Sequence, residues 1–416
     1  MNKVLAPVAA LLVSVSILLA GQGLQGTLLP VRASLEQFPT LAIGAMGATY
    51  FLGFTVGCLK GGELVRRVGH VRVFLAMTAV ASASPLLHVL LISPMSWGVL
   101  RFMTGFCFAV LYIVIESWLN DCADNTNRGV IFSTYSMITL TVLAVGQMMM
   151  LLYVPTGFEL FIIASVLVSL GAVPIALSTS PSPAQPHTVS IDVARLYQIS
   201  PSGTVGCLVS GLANGAFWAL APVFASKVGK DVNLAAWFMT SAVIGGAMAQ
   251  WPLGLLSDRA GRRKVLVGVG VAGCFAGLAL YILADSSMQF ATAIMLALIW
   301  GAFAFPLYVI SVAYTNDHAE PTEYVMVSSG LLLMYGLGAT IGPLIASFVM
   351  TESNPGGMYA FTALVHLALV LFVAVRFLRS RSVAEQQIAF SDALSAAQTA
   401  SQVYEEELLQ QAESDD

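Results

Sequence analysis

The sequence predicts an all-α membrane protein of twelve transmembrane helices in two pseudo-symmetric six-helix halves, and three observations carry that reading. Of its 416 residues, 57% are hydrophobic and 10% charged, with a mean hydropathy of +0.83; soluble domains use roughly 45–50% apolar residues. The apolar residues gather into twelve runs of the length that crosses a hydrocarbon core about 30 Å thick at about 1.5 Å per residue. The second six runs then repeat the first six. A membrane β-barrel is excluded, because none of the runs alternates apolar and polar residues.

The first run, 6–28, follows Lys3, and its stretch 4–20 alone has the outline of a secretory leader. Runs 41–60 and 71–92 flank a charged turn, "GELVRRVGHVRVF", at 62–74. Run 95–118 carries Arg101 and Glu116, and runs 129–153 and 158–178 complete the first half. A linker over about 179–201, entered through Ser, Pro and Thr residues, suits a flexible tether. Runs 203–226 and 234–256 lead into a second charged turn, "GLLSDRAGRRKVL" at 254–266. Runs 265–285, 289–314, 324–350 and 357–378 close the second half. The tail begins at arginines and ends acidic, which predicts a cytoplasmic segment, partly helical or disordered. The predicted division is therefore 1–178, 179–201, 202–379 and 380–416.

The duplication is read by sliding the chain along itself. Gly62 and Gly254 lie 192 residues apart, and the same offset pairs Leu64 with Leu256, Arg67 with Arg259, Gly69 with Gly261, Gly23 with Gly215, Pro30 with Pro222 and Gly53 with Gly245. Further on the offset becomes 196, laying "LYIVIESWLND" (111–121) over "LYVISVAYTND" (307–317), Gly105 over Gly301 and Gly146 over Gly342. A repeat that includes the first run makes it part of the fold and argues against its cleavage. Parallel repeats joined by a polar linker are a transporter architecture.

Orientation follows from cationic residues, which cytoplasmic loops retain. With the N-terminus inside, 14 of the 18 Lys and Arg fall on the cytoplasmic side, all but Arg32, Arg101, Lys227 and Lys230. The net charge of −4 says little, since eight of the 22 acids lie after residue 380. The five cysteines lack paired or metal-type spacing and read as packing residues. Five histidines, His70, His88, His187, His318 and His366, are scattered without a His-Glu-x-x-His spacing, and no phosphate-cradling glycine loop follows a strand. Enzyme chemistry, a metal and a cofactor are not called for, and neither is a nucleic-acid partner.

The second charged turn resembles the signature of the major facilitator superfamily between its second and third helices, G-x-L-x-D-R-x-G-R-R, of which the first turn is a weaker copy. Two further motifs support the resemblance: Arg101 four residues before Gly105, and Tyr112 and Glu116 followed by Arg128 and Gly129. The wording "GTLLPVRA" and "ESWLND" is most similar to the YcaD-like branch. The resemblance implies a secondary transporter working as a monomer by alternating access in a bacterial inner membrane, with both termini cytoplasmic. A receptor or scaffold without flux on the same fold is the competing reading. The chain departs from the pattern at Arg66, where the family carries an aspartate, and at Gly146–Gln147, where the antiporter motif has Gly-Pro, which leaves direction open.

Two groups of functional candidates follow. Arg101, Gly105, Tyr112 and Glu116 share one stripe of the fourth run, and a charge at membrane depth faces a cavity by necessity. Arg101 and Glu116 stand about 22 Å apart at helical rise. The resemblance places the first, fourth, seventh and tenth helices around a central cavity, which adds Gln22, Gln25, Asn214, Trp218, Trp300 and Tyr308. An aromatic chamber with few charges suits a small amphipathic or weakly acidic solute, with the proton as candidate coupling ion. The second group is a cytoplasmic gate. Asp258, Arg259, Arg262 and Arg263 are expected to reach across the seam between halves. Glu116 is expected to join Arg128, Arg66 and Arg67, and Arg66 or Arg67 to meet Asp317, Glu320 and Glu323 when the inner side closes. The "GLGATIGP" stretch at 336–343 predicts tight packing or a hinge.

Overall fold

Charged turns, prolines and glycines set the limits of the helices. The computed structural model describes residues 8–123, 128–177, 192–229, 231–284, 288–320 and 323–379; the predicted tail and most of the linker lie outside them. The first half comprises α1 (Ala9–Leu35), α2 (Thr40–Val68), α3 (His70–Leu90), α4 (Pro94–Asp121), α5 (Arg128–Met148), which runs into a 3₁₀ turn at Met149–Leu152, and a sixth crossing made of α6 (Glu159–Leu170) and α7 (Val173–Ala176). A short linker helix, α8 (Val193–Ile199), precedes α9 (Pro201–Val228), α10 (Leu234–Ala260), α11 (Arg262–Ile282), a tenth crossing made of α12 (Phe290–Ala304) and α13 (Pro306–Asn316), α14 (Tyr324–Glu352) and α15 (Gly357–Arg379). Pro306 breaks the tenth crossing because it lacks an N–H and crowds the preceding turn.

Among the described residues, eleven helical spans are long and apolar enough to cross a membrane. The twelfth crossing is α10, with 27 residues; Gln250 and the paired Gly245 and Gly246 dilute its hydropathy. Among the described residues there is no strand.

The repeat is visible in backbone contacts. A Cβ on Gly53 would strike the Phe102 carbonyl of α4, and one on Gly245 would strike the Leu298 carbonyl of α12, the residue 196 positions further on. The reverse faces match too: Gly105 lies against the Tyr50 carbonyl and Gly301 against that of Ala242. Gly146 meets Ala20 and Gly342 meets Leu212, again at twin positions. Both charged turns bend at a glycine with positive φ, +94° at Gly69 and +93° at Gly261, which a side chain would strain. The residue after each turn packs at the end of the fourth crossing of its own half. Arg262 donates Nε to Asp317 at 2.5 Å with both side chains buried, and its twin His70 lies beside Trp118, ring centroids 6.4 Å apart, three residues before Asp121, the twin of Asp317.

The packing divides unevenly along the bundle axis. One apolar core joins both halves at the end away from the charged turns, with Leu24, Ile43, Met46 and Met150 of the first half packed with Phe217, Phe224, Met239 and Ala346 of the second. At the charged-turn end each half keeps its own core, the first around Val65, Phe74, Val114 and Ile131, the second around Leu266, Ile310 and Val373 with a smaller cluster at Val312 and Val327. The halves are therefore sealed at one face and parted at the other.

Candidate functional site: a chamber closed at one end

The sealed end is built from three seams. On α2, Gly44 lies against Ser347 and the Pro343 carbonyl of α14, and Gly47 against Ala219 of α9. The Thr240 hydroxyl of α10 bonds Gln147 Oε1 of α5 at 3.3 Å. Arg32 at the end of α1 donates Nε to Glu36 at 2.7 Å and Nη1 to the Pro155 and Gly157 carbonyls at 2.9 and 3.3 Å, fastening α1 to the loop before α6.

Below these seams lies a chamber of about 730 Å³, walled by α1, α2, α4, α5, α9 and α14. It reaches from Gln25, Gln147, Trp218 and Ala219 at the closed end to Lys60, Gly62 and Glu63 beside the first charged turn.

Arg101 stands in its wall. The close approach of α4 to α2 at Gly105 brings Arg101, one turn earlier, over the Tyr50 ring, with the guanidinium carbon 4.1 Å from the centroid, a cation–π contact. The Tyr50 hydroxyl accepts from Gln22 Nε2 at 2.8 Å, and Tyr112 donates its hydroxyl to Gln22 Oε1 at 3.1 Å. Phe54 lies edge-on to Tyr112, ring centroids 6.1 Å apart. Thus Arg101, Tyr50, Gln22 and Tyr112 form one chain across three helices, with Glu116 a turn beyond Tyr112. Arg101 and Glu116 form no ion pair among the described residues.

The candidates from the sequence distribute as follows. Gln22, Gln25, Arg101, Tyr112, Glu116 and Trp218 line the chamber. Gln25 is 2% exposed, with neither amide atom partnered among the described residues. Asn214 is buried behind the wall. Trp300 is fully buried, stacked on Phe217 at 4.7 Å and edge-on to Tyr359 at 5.8 Å, and so belongs to the sealing core. Tyr308 packs on Tyr335 at 4.9 Å without reaching the chamber. The tenth crossing thus stands off the wall, and α2 and α14 take its place. Tyr50, Phe54, Cys58 and Gln147 are wall residues that sequence reasoning did not assign to the chamber; Gln147 carried the signal of a polar residue in an apolar run, and nothing singles out the other three.

The gate residues also differ from expectation. Arg262 keeps to its own half, because it opens α11 directly after the Gly261 bend, beside the end of α13; besides Asp317 it meets Asp258 at 3.1 Å. Arg263 donates to the Val373 carbonyl of α15 at 3.4 Å. Glu116 stays on the chamber wall, apart from the exposed Arg66 and Arg67; Arg67 pairs with Glu63 one turn back. Arg259 and Glu320 are exposed, and the Arg128 side chain lies outside the described residues. Glu323 accepts from Arg195 Nε of the linker helix at 2.8 Å, and that bond holds its carboxyl below the usual range. Leu196, buried on the inner face of the same helix, packs beneath Gly330 of α14. The "GLGATIGP" glycines are packing positions: Gly338 and Gly342 lie on α9, and Gly336 on Thr55 of α2.

Comparison with known proteins agrees with this geometry. Residues 203–409 match the model of the Major Facilitator Superfamily. An uncharacterized MFS-type transporter of Enterobacter sp. (strain 638) is 26% identical over 373 residues, covering 88% of this chain and 95% of its own. An uncharacterized MFS-type transporter YcaD of Escherichia fergusonii is 28% identical with the same coverage. Among solved structures, the nucleoside transporter NupG superposes with a TM-score of 0.74 at 14% identity, covering 91% of this chain and 99% of that one. A bacterial homolog of the human lysosomal transporter Spinster, inward-facing and occupied, gives 0.71 at 16% identity, covering 90% and 96%. At such identities these structures establish the fold alone.

Proposed function

From the chain's similarity to the major facilitator superfamily, we propose that it is a secondary active transporter that moves a small amphipathic or weakly acidic solute across a bacterial inner membrane by alternating access. The observation that carries the proposal is the axial division of the core: a shared apolar seal at one end, separate cores at the other, and between them a chamber with an intramembrane arginine in its wall. Such a chamber serves transport when the seal and the opening exchange places, the halves rocking about the site. Cationic residues gather at the open face, so the cytoplasm is assigned there, with both termini on that side and the conformation inward-facing. The proton is the coupling ion the chamber suits, since Glu116 offers a carboxylate with no ion pair among the described residues.

The chain's relatives are transporters, and no enzyme is proposed. The test is reconstitution of the full chain in proteoliposomes loaded with a pH dye and challenged with a library of metabolites and drugs. At least one solute should give a flux that Arg101→Ala removes. A library that gives no flux in vesicles holding folded protein would favour a receptor or scaffold instead.

A further inference from the structure

The guanidinium of Arg101 has no carboxylate, carbonyl or hydroxyl acceptor among the described residues; its one recorded partner is the face of Tyr50. A charge held at membrane depth is costly unless something compensates it, and a ring quadrupole compensates part. With the guanidinium carbon over the ring and no oxygen acceptor among the described residues, its N–H groups remain for one, and such a fork takes a carboxylate bidentately. Beyond this group the wall offers the apolar surfaces of Phe51, Phe54 and Trp218, with the one carboxyl of this stretch, Glu116, a turn beyond Tyr112. The other cation of the wall is Lys60, beside the opening, where Glu63 is three residues along the same helix. One negative charge is thus matched at depth and a second is not. The arrangement is confined to the first half: the twins of Tyr50 and Arg101 are Ala242 and Ala297, both fully buried.

We propose that the chamber binds an amphipathic monocarboxylate, its carboxylate on the Arg101 fork and its apolar body along Phe54 and Trp218. This rests on the transporter reading for its purpose but is measured separately, as equilibrium binding. Full-length protein in nanodiscs is titrated calorimetrically with benzoate, octanoate, the neutral isostere benzamide and the dianion phthalate. Benzoate and octanoate bind, benzamide and phthalate bind at least tenfold more weakly, Arg101→Gln weakens benzoate at least tenfold, and Arg101→Lys, which keeps the charge and the fold, recovers part of the loss. Benzamide or phthalate binding as tightly as benzoate, Arg101→Gln or Arg101→Lys holding benzoate at wild-type strength, or no binding of either carboxylate overturns the assignment. A chain that binds carboxylates but carries no flux sinks the transporter reading alone; one that transports other solutes and ignores carboxylates sinks this assignment alone.

Discussion

Gly44→Ala should shift the chain away from the conformation described here. The new methyl carbon would stand 2.6 Å from the Pro343 carbonyl oxygen and closer still to Ser347, where ordinary contact begins at 3.4 Å. One partner is backbone within a helix, so α2 and α14 must separate by several tenths of an ångström along the sealing seam. Overpacking of this kind costs about 1–3 kcal/mol. Only the state with that seam closed bears the cost, and 1.4 kcal/mol is tenfold in an equilibrium constant, so the ratio of the two states should move by about 5–150-fold. Cys58 in the chamber wall reports it. With Cys107, Cys122, Cys207 and Cys274 replaced by alanine, a membrane-impermeant methanethiosulfonate reagent applied from the charged-turn face should label Cys58 more slowly in Gly44→Ala than in the parent. Gly268→Ala, where a methyl meets nothing within 4 Å, should label at the parent rate. Unchanged or faster labelling in folded Gly44→Ala protein would refute the claim that this seam holds the far end shut.

Three further outcomes are expected. Gly105→Ala and Gly301→Ala, whose methyls would strike twin backbone carbonyls, should each lower stability by about 1–3 kcal/mol and by similar amounts in thermal unfolding; a large loss in only one would contradict equivalent packing. Arg262→Gln should cost about 3–5 kcal/mol, because it breaks the buried ion pair with Asp317, while His70→Gln should cost far less, Asp121, the twin of Asp317, being exposed; equal losses would undo the comparison. Glu323, its carboxyl held below the usual range by Arg195, contributes to docking of the linker helix fully above the ordinary carboxylate pKa and loses that contribution as pH falls through its lowered value. Protection of the Val193–Ile199 amides, taken relative to intrinsic exchange at each pH, should therefore fall on acidification, and the Glu323→Gln variant should show low protection at both pH values.

The fold was legible where backbone approaches backbone. Glycines 23, 53, 105 and 146 and their twins are fixed by carbonyls of neighbouring helices, and such constraints survive in both copies while most side chains drift. The chamber was legible only in part. Arg101 stood out because a charge is rare in an apolar run, but the Tyr50 ring beneath it lies on another helix and carries no mark of its own. Trp300 and Tyr308 were placed at the wall by analogy, but Trp300 stacks on Phe217 in the sealing core and Tyr308 packs on Tyr335. Arg262 was expected across the seam because a loop of cations has many candidate partners, and only burial of both charges identifies Asp317.

That last pairing narrows what can close the open face. Of the three acids between α13 and α14, Asp317 is committed to Arg262 inside the second half, and withdrawing it would break a contact between two buried charges. Glu323 is differently placed: its partner Arg195 is exposed and solvated, and exposed pairs exchange at little cost. Arg66 stands exposed at the end of α2, where the superfamily's aspartate is missing, so the first half presents a cation to the second where an anion is usual. When the halves swing together, Arg66 should therefore take Glu323 from Arg195, with Glu320 beside it, and leave Asp317 where it is. Transport by Arg66→Glu should fail and be restored by Glu323→Arg but not by Asp317→Arg. Rescue through Asp317, or no coupling between Arg66 and Glu323, would mean that closure at this face uses other residues.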